Sequence, residues 1–278
     1  MLSYQHTYHA GNHADVFKHI MLSAVFAGMQ HKEKGIMLLD GFAGRGVYDL
    51  SSEHAKKTHE MNSGIAAVWP MKPKLPDPVQ RWQQLIQSYN THDALRYYPG
   101  STALLAFMKR PQDRLLACDL HPQEFTALRQ NFPSQRGFSL HKKDAYEALR
   151  AFLPPKEKRG LVFLDPSFED KSEYQRIANA VIQAYAHFRA GVFVIWYPLL
   201  PAQHELEMLH TFQDSGIRKI LRIEASGDFP SMQMQGSGLL IINPPWHAEQ
   251  TMQQTLPWLK ETLFGIQGRT MYRWLVPE

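Results

Sequence analysis

The sequence predicts an open α/β fold, a mostly parallel sheet with helices on both faces. Two observations carry this. Short, continuous apolar runs recur along the chain in place of polar–apolar alternation, as strands buried on both faces require. Stretches with helical periodicity separate them, so successive strands are joined by right-handed crossovers. The chain has 278 residues, 44% hydrophobic and 20% charged, enough for a large core and ordinary for a globular protein.

Seven strands are expected: GIMLLD (35–40), RLLACDL (114–120), GFSLHKKD (137–144), GLVFLD (160–165), GVFVIWYP (191–198), RKILRIEA (218–225) and GSGLLIIN (236–243). Before the first, ADVFKHIMLSAVFAGM places Val16, Phe17, Ile20, Ala24 and Ala27 on one helical face. HPQEFTALRQNF follows the second strand, with Pro122 in a first turn that tolerates it. SEYQRIANAVIQAYAHF follows the fourth. PAQHELEMLHTFQDSG follows the fifth and closes at Gly216, a C-cap candidate. Between residues 47 and 98 the alternation stops. The proline-rich WPMKPKLPDP leads into a helix with Val79, Trp82, Leu85, Ile86 and Tyr89 on one face. Residues 47–98 are therefore expected to form a small helical subdomain inserted into a domain made of 1–46 and 99–278.

Several classes are excluded. No run approaches the roughly 18 apolar residues of a spanning helix, and the polar, histidine-rich start MLSYQHTYHAGNHADVFKH has no apolar signal core. A cytoplasmic protein is expected. The one cysteine, Cys118, lies in the apolar LLACDL and reads as a buried reduced thiol. The net charge of +4 permits nucleic-acid binding without requiring it. Basic clusters at Lys56–Lys57, Lys142–Lys143, Lys156–Lys158–Arg159 and Arg218–Lys219 read as solvated surface, with phosphate contact as the alternative.

Chemistry concentrates at the strand ends. The first strand runs into LLDGFAGRG, where Asp40 is followed by Gly41, Gly44 and Gly46, letting the backbone turn tightly and approach a ligand. This resembles the D/E-x-x-x-G-x-G loop of class I S-adenosylmethionine-dependent methyltransferases. Asp119 ends the second strand, where it either accepts both hydroxyls of a ribose or caps the following helix. Asp144, after the third, either faces an adenine amine or caps a helix. Carboxylates after three consecutive strands point at one crevice. The fourth strand then ends in Asp165-Pro166-Ser167-Phe168, similar to the [DNS]-P-P-[YFW] motif of amino-directed methyltransferases. An exocyclic amine is a poor nucleophile because its lone pair is delocalised. A carboxylate (Asp165) and a backbone carbonyl (Pro166) accept its two N–H bonds, orient it and stabilise its developing positive charge. An aromatic ring, Phe168, is expected to stack on the base.

The whole chain resembles the RlmJ-type 23S ribosomal RNA adenine-N6 methyltransferase family. YQHTYHAGNHADVFKH is the most specific stretch, joined by RYYPGS (96–101), SGIRKIL, the late NPPW and the terminal WLVPE. The resemblance implies a Rossmann-like class I methyltransferase fold with an antiparallel seventh strand. It implies S-adenosyl-L-methionine as cofactor, and Lys18, His19, Phe42, Ser101, Asp119, Asp144 and Ala145 at cofactor positions beside Asp40, Gly44 and Asp165. Asp165 takes the catalytic position, with Pro166 and Phe168. Residues 1–30 match the segment that folds near the substrate adenine, with Tyr4 at a substrate position. Ribosomal RNA, protein-free or in early assembly, is the implied partner of a monomer without membrane or metal. A metal site from His6, His9, His13 and His19 lacks a carboxylate or cysteine partner set. Three departures stand out. Phe42 replaces a histidine, Ala145 a glycine, and D-P-S-F replaces D-P-P-Y, where Ser167 adds a backbone N–H and Phe168 lacks a phenol. A DNA adenine methyltransferase, or a weakened protein that binds cofactor or RNA without turnover, are the alternatives.

Asn243-Pro244-Pro245-Trp246 matches the written motif better than D-P-S-F does. It ends the seventh strand, which in this fold runs antiparallel, so it is expected at the opposite edge as a turn with a packing tryptophan.

Overall fold

A computed structural model describes residues 6–69, 75–91, 94–133, 135–227 and 234–278. In chain order the elements are α1 (His13–Met29), β1 (Met37–Asp40), β2 (Val47–Asp49), α2 (Glu53–Thr58), α3 (Ile65–Val68), α4 (Asp77–Tyr89), β3 (Tyr97–Pro99), α5 (Ser101–Met108), β4 (Arg114–Cys118) and α6 (Pro122–Asn131). Then follow β5 (Phe138–His141), α7 (Ala145–Phe152), β6 (Gly160–Leu164), α8 (Ser172–His187), β7 (Val192–Leu199), α9 (Glu205–Asp214), β8 (Ile220–Ser226), β9 (Gly236–Ile242), α10 (Trp246–Leu259) and β10 (Arg269–Val276).

All seven expected strands join one sheet in the order β5-β4-β1-β6-β7-β9-β8-β10. From β5 to β7 the pairing is parallel, and β9 runs antiparallel to both β7 and β8. The sheet has eight strands, one more than the sequence predicts. β10 pairs antiparallel with β8, and every one of its residues is exposed or only half-buried. It covers the sheet edge and is not buried on both faces, so it lacks the continuous apolar run that marks the others.

The central strands are shielded from water, with β1, β6 and β9 buried at every position. α1 lies against α10, α4 and α5 and is buried on nearly all sides, so the one-sided face expected for it is too narrow. A helix apolar around most of its circumference belongs inside the core. Asn12 caps it, its side-chain oxygen accepting from the Asp15 amide at 2.9 Å. In residues 47–99, α4 buries Val79, Trp82, Leu85 and Ile86 as its periodicity predicts. The same stretch carries two strands too short to show in the sequence: β2 and β3 pair antiparallel, Val47 opposite Pro99.

Candidate active site

The carboxyl ends of β1, β4, β6 and β7, with the start of α7, open on a cavity of about 330 Å³. After β1 the chain turns through Gly41–Gly46. Gly44 has φ +56°, a left-handed conformation that favours glycine, and a Cβ there would also push against the Tyr48 hydroxyl. The Gly44 amide donates to Asp119 at 2.8 Å, and the other Asp119 oxygen accepts from the His121 amide at 2.8 Å. Asp119 is thus fixed against the glycine turn while lining the cavity. Burial raises its pKa from the ordinary aspartate value. The cap expected as its alternative role falls instead to His121, whose ring accepts from the Gln123 and Glu124 amides. Asp144 does cap its helix, accepting from the Tyr146 amide at 2.8 Å, and also pairs with Arg176 at 3.2 Å on the cavity wall.

Asp165 leaves β6 into the cavity and meets a buried network. The Lys18 ammonium lies 2.6 Å from Asp165 and 2.9 Å from Asp15. Burial alone would lower the Lys18 pKa, but the two carboxylates outweigh it and hold the ammonium above its usual range. Asp15 is fully buried. Its second oxygen accepts from the Gly11 amide at 2.7 Å and contacts His6 at 2.9 Å. Burial would raise Asp15, yet His6 and Lys18 hold it well below the carboxylate range. A chain of polar contacts therefore runs from His6 through Asp15 and Lys18 to Asp165. The four N-terminal histidines part company: His6 goes to Asp15, His9 to Glu60, His13 packs edge-on against Phe264, and His19 contacts the Tyr98 hydroxyl at 2.8 Å. Among the described residues no group of His, Cys, Asp and Glu could hold a metal ion.

Lys18, His19, Phe42, Gly44, Ser101, Asp119, Asp144, Ala145, Asp165 and Pro166 all line this one cavity. Two expected residues do not. Asp40 lies fully buried beneath the floor, accepting from the Ser101 and Thr102 hydroxyls at 2.8 and 2.7 Å. Burial raises its pKa to about 6. It shapes the start of α5 and has no access to a ligand in the cavity. Phe168 is only 6% exposed and has φ +52°, which turns its ring into the core against Tyr174 at 4.3 Å and Trp196 at 6.0 Å. Expected to stack on a base, it packs behind the loop. Tyr4 lies outside the described residues.

Sequence reasoning passed over Trp196, Tyr146 and Asp15. Trp196 lines the cavity from β7, with the Lys18 ammonium 4.8 Å from its ring centroid. Its signal was an aromatic residue near the carboxyl end of a central strand. Tyr146 lines the wall edge-on to Phe42 at 6.2 Å and donates to Glu173. Asp15 stands within the N-terminal motif but carries no spacing that marks it. Trp246 is at the opposite edge and 80% exposed, so it is not the packing residue expected. Asn243 there donates to the Arg189 and Gly191 carbonyls before β7, which keeps NPPW away from the cavity.

The chemistry of these donors fits S-adenosylmethionine. A carboxylate on the glycine turn suits ribose hydroxyls, Phe42 and Tyr146 offer ring surface for a base, and acidic walls suit a cationic sulfonium and amine. Fold and site together define a class I, S-adenosylmethionine-dependent methyltransferase. The family model described as "Ribosomal RNA large subunit methyltransferase D, RlmJ" matches residues 33–276. Ribosomal RNA large subunit methyltransferase J of Escherichia coli (strain K12) is 39% identical over the full length of both chains, and its namesake in Haemophilus influenzae is also 39% identical, again over both full lengths. Among solved structures, protein LPL1258 from Legionella pneumophila superposes with a TM-score of 0.89 at 35% identity, covering 96% of this chain and 98% of that one. The chain belongs to the RlmJ family of large-subunit ribosomal RNA methyltransferases.

Proposed function

We propose that the protein transfers a methyl group from S-adenosyl-L-methionine to N6 of one adenine in 23S ribosomal RNA. The observation that carries this is the Asp165–Pro166 loop, held by Lys18 at the wall of the same cavity as Asp119 and Ser101. When bound, the cofactor supplies a methyl group made electrophilic by its sulfonium. Asp119 would hold the ribose, and Phe42, Asp144 and Ala145 would surround its adenine. Lys18 takes one Asp165 oxygen, so the amine of the substrate adenine falls to the other and to the Pro166 carbonyl. Those acceptors align the lone pair and stabilise the charge that grows during transfer. Asp165 then accepts the departing proton. Trp196 is the ring best placed to cover the base, since Phe168 backs the loop from within. Asp40 supports the site from beneath by ordering Ser101.

The adenine must leave its stack to reach this cavity, which favours an unpaired or flipped base in protein-free or early-assembly RNA. Residues 47–98 act as an inserted subdomain, the N-terminal segment 1–30 brings His6, Lys18 and His19 to the cavity, Tyr4 is assigned to the substrate adenine, and the enzyme works as a cytoplasmic monomer. No helix among the described residues is long and apolar enough to cross a membrane. Incubation of labelled cofactor with unmodified 23S rRNA fragments and matched DNA tests this reading. Label is expected in the RNA alone, and its absence there refutes the assignment.

A further inference from the structure

The catalytic cavity is a poor place to hold a polyanion. Its walls carry Asp119, Glu124, Asp165, Glu169, Asp170 and Glu173, and the cations among them, Lys18 and Arg176, are paired with Asp165 and Asp144. A substrate that is itself a chain of phosphates needs its cations elsewhere. On the RNA-methylation reading, a neighbouring surface offers them.

Beside the cavity a second depression of about 500 Å³ opens between α7 and α8, sharing Leu120, Asp144, Tyr146 and Arg176 with it. A third, of about 380 Å³, continues along the same helices and shares Tyr146, Arg150, Ala180 and Gln183 with the second. The three form one trench leading away from the mouth. Helical spacing explains its walls. Tyr146 and Arg150 fall at i and i+4 on α7, and Arg176, Ala180 and Gln183 at i, i+4 and i+7 on α8. Its lining sets the cations Lys142, Lys143, Arg150 and Arg176 against two carboxylates, Asp144 and Glu147, around apolar side chains.

The balance of charge in the trench favours phosphate. Asp144 is committed to Arg176 and to the α7 amides, and Glu147 lies 3.5 Å from Lys143. Arg176 lies over the Tyr146 ring at 4.1 Å. Lys142 and Arg150 are exposed and have no carboxylate partner among the described residues. Exposed cations without partners, in a trench joined to the catalytic mouth, are the arrangement a nucleic-acid backbone requires.

We propose that the α7–α8 trench binds the RNA strand flanking the target adenine, with Lys142 and Arg150 on successive phosphates and the neutral Asn179 and Gln183 on the sugar edge. Because these contacts read backbone, they set affinity and register and leave base choice to the cavity.

The test uses the full-length double variant Lys142→Gln/Arg150→Gln and a fluorescent 23S rRNA hairpin bound at several salt concentrations. Each lost phosphate contact flattens the plot of log affinity against log salt by about 0.7 for a single strand. The expected result is hairpin affinity reduced roughly tenfold and a slope shallower by about 1.4, with cofactor affinity and melting temperature unchanged. A double variant with wild-type hairpin affinity and slope overturns the proposal. So does parallel loss of cofactor affinity, or a wild-type trench that binds poly-glutamate as tightly as RNA. Binding is read apart from turnover, so failure here is distinct from failure of methyl transfer by the wild type.

Discussion

Lys18 is the residue on which the site balances. Its ammonium neutralises Asp15, fully buried, and Asp165, at the cavity wall. Removing one partner of a buried pair is expensive because the other is left uncompensated. The two ends of this triad should therefore behave differently. Asp165→Ala leaves Lys18 still paired with Asp15, so transfer should vanish while thermal unfolding changes little. Lys18→Met leaves Asp165 without its cation and fully buried Asp15 with only His6 and the Gly11 amide, and should cost about 3–5 kcal/mol in chemical denaturation. His19 gives a pH signature. Burial lowers its pKa from 6.5 to about 3, so it folds neutral and must charge in acid. A base depressed in the folded state contributes stability above its unfolded pKa and loses it as pH falls toward the folded one. Between pH 6.5 and about 3, the wild type should lose about 1.4 kcal/mol per unit relative to His19→Asn. Urea titrations of both proteins at matched pH measure the difference, and parallel curves would contradict a neutral buried ring.

At the scale of elements, two loops decide the site. The turn after β1 needs glycine at 44. Gly44→Ala should cost about 1–2 kcal/mol for the left-handed backbone alone, and the displaced turn should loosen Asp119 and weaken cofactor binding by calorimetry. The loop after β6 is the instructive case. Its Asp-Pro was legible because strand end, acid and proline are all local signals. Where the ring points was not, because that depends on φ at Phe168 and on Tyr174 and Trp196, which are distant in sequence. Phe168→Ala should cost about 3–5 kcal/mol, as a buried ring does. A Phe168→Ala protein with unchanged melting and a raised KM for RNA would restore the stacking role. The same logic separates the carboxylates. Positions at strand tips could be read from the sequence, whereas Asp40 beneath the floor and Asp119 at the wall differ only by packing.

For the molecule as a whole, the parallel core was readable because strands buried on both faces leave continuous apolar runs. β10 left none, being an edge strand none of whose residues is fully buried. The antiparallel β9 separates two similar tetrapeptides, carrying the better-matching NPPW to the far edge while Asp165, Pro166 and Ser167 of DPSF line the cavity. An acidic mouth flanked by a basic trench then divides the labour of binding a cation and a polyanion between adjoining surfaces. The most direct measurement is methyl transfer from labelled S-adenosylmethionine to unmodified 23S rRNA by the wild type and by Asp165→Ala, with the product mapped by mass spectrometry. One N6-methyladenosine with the wild type, and none with the variant, is the predicted result. No transfer by the wild type, or full transfer by Asp165→Ala, would contradict the account.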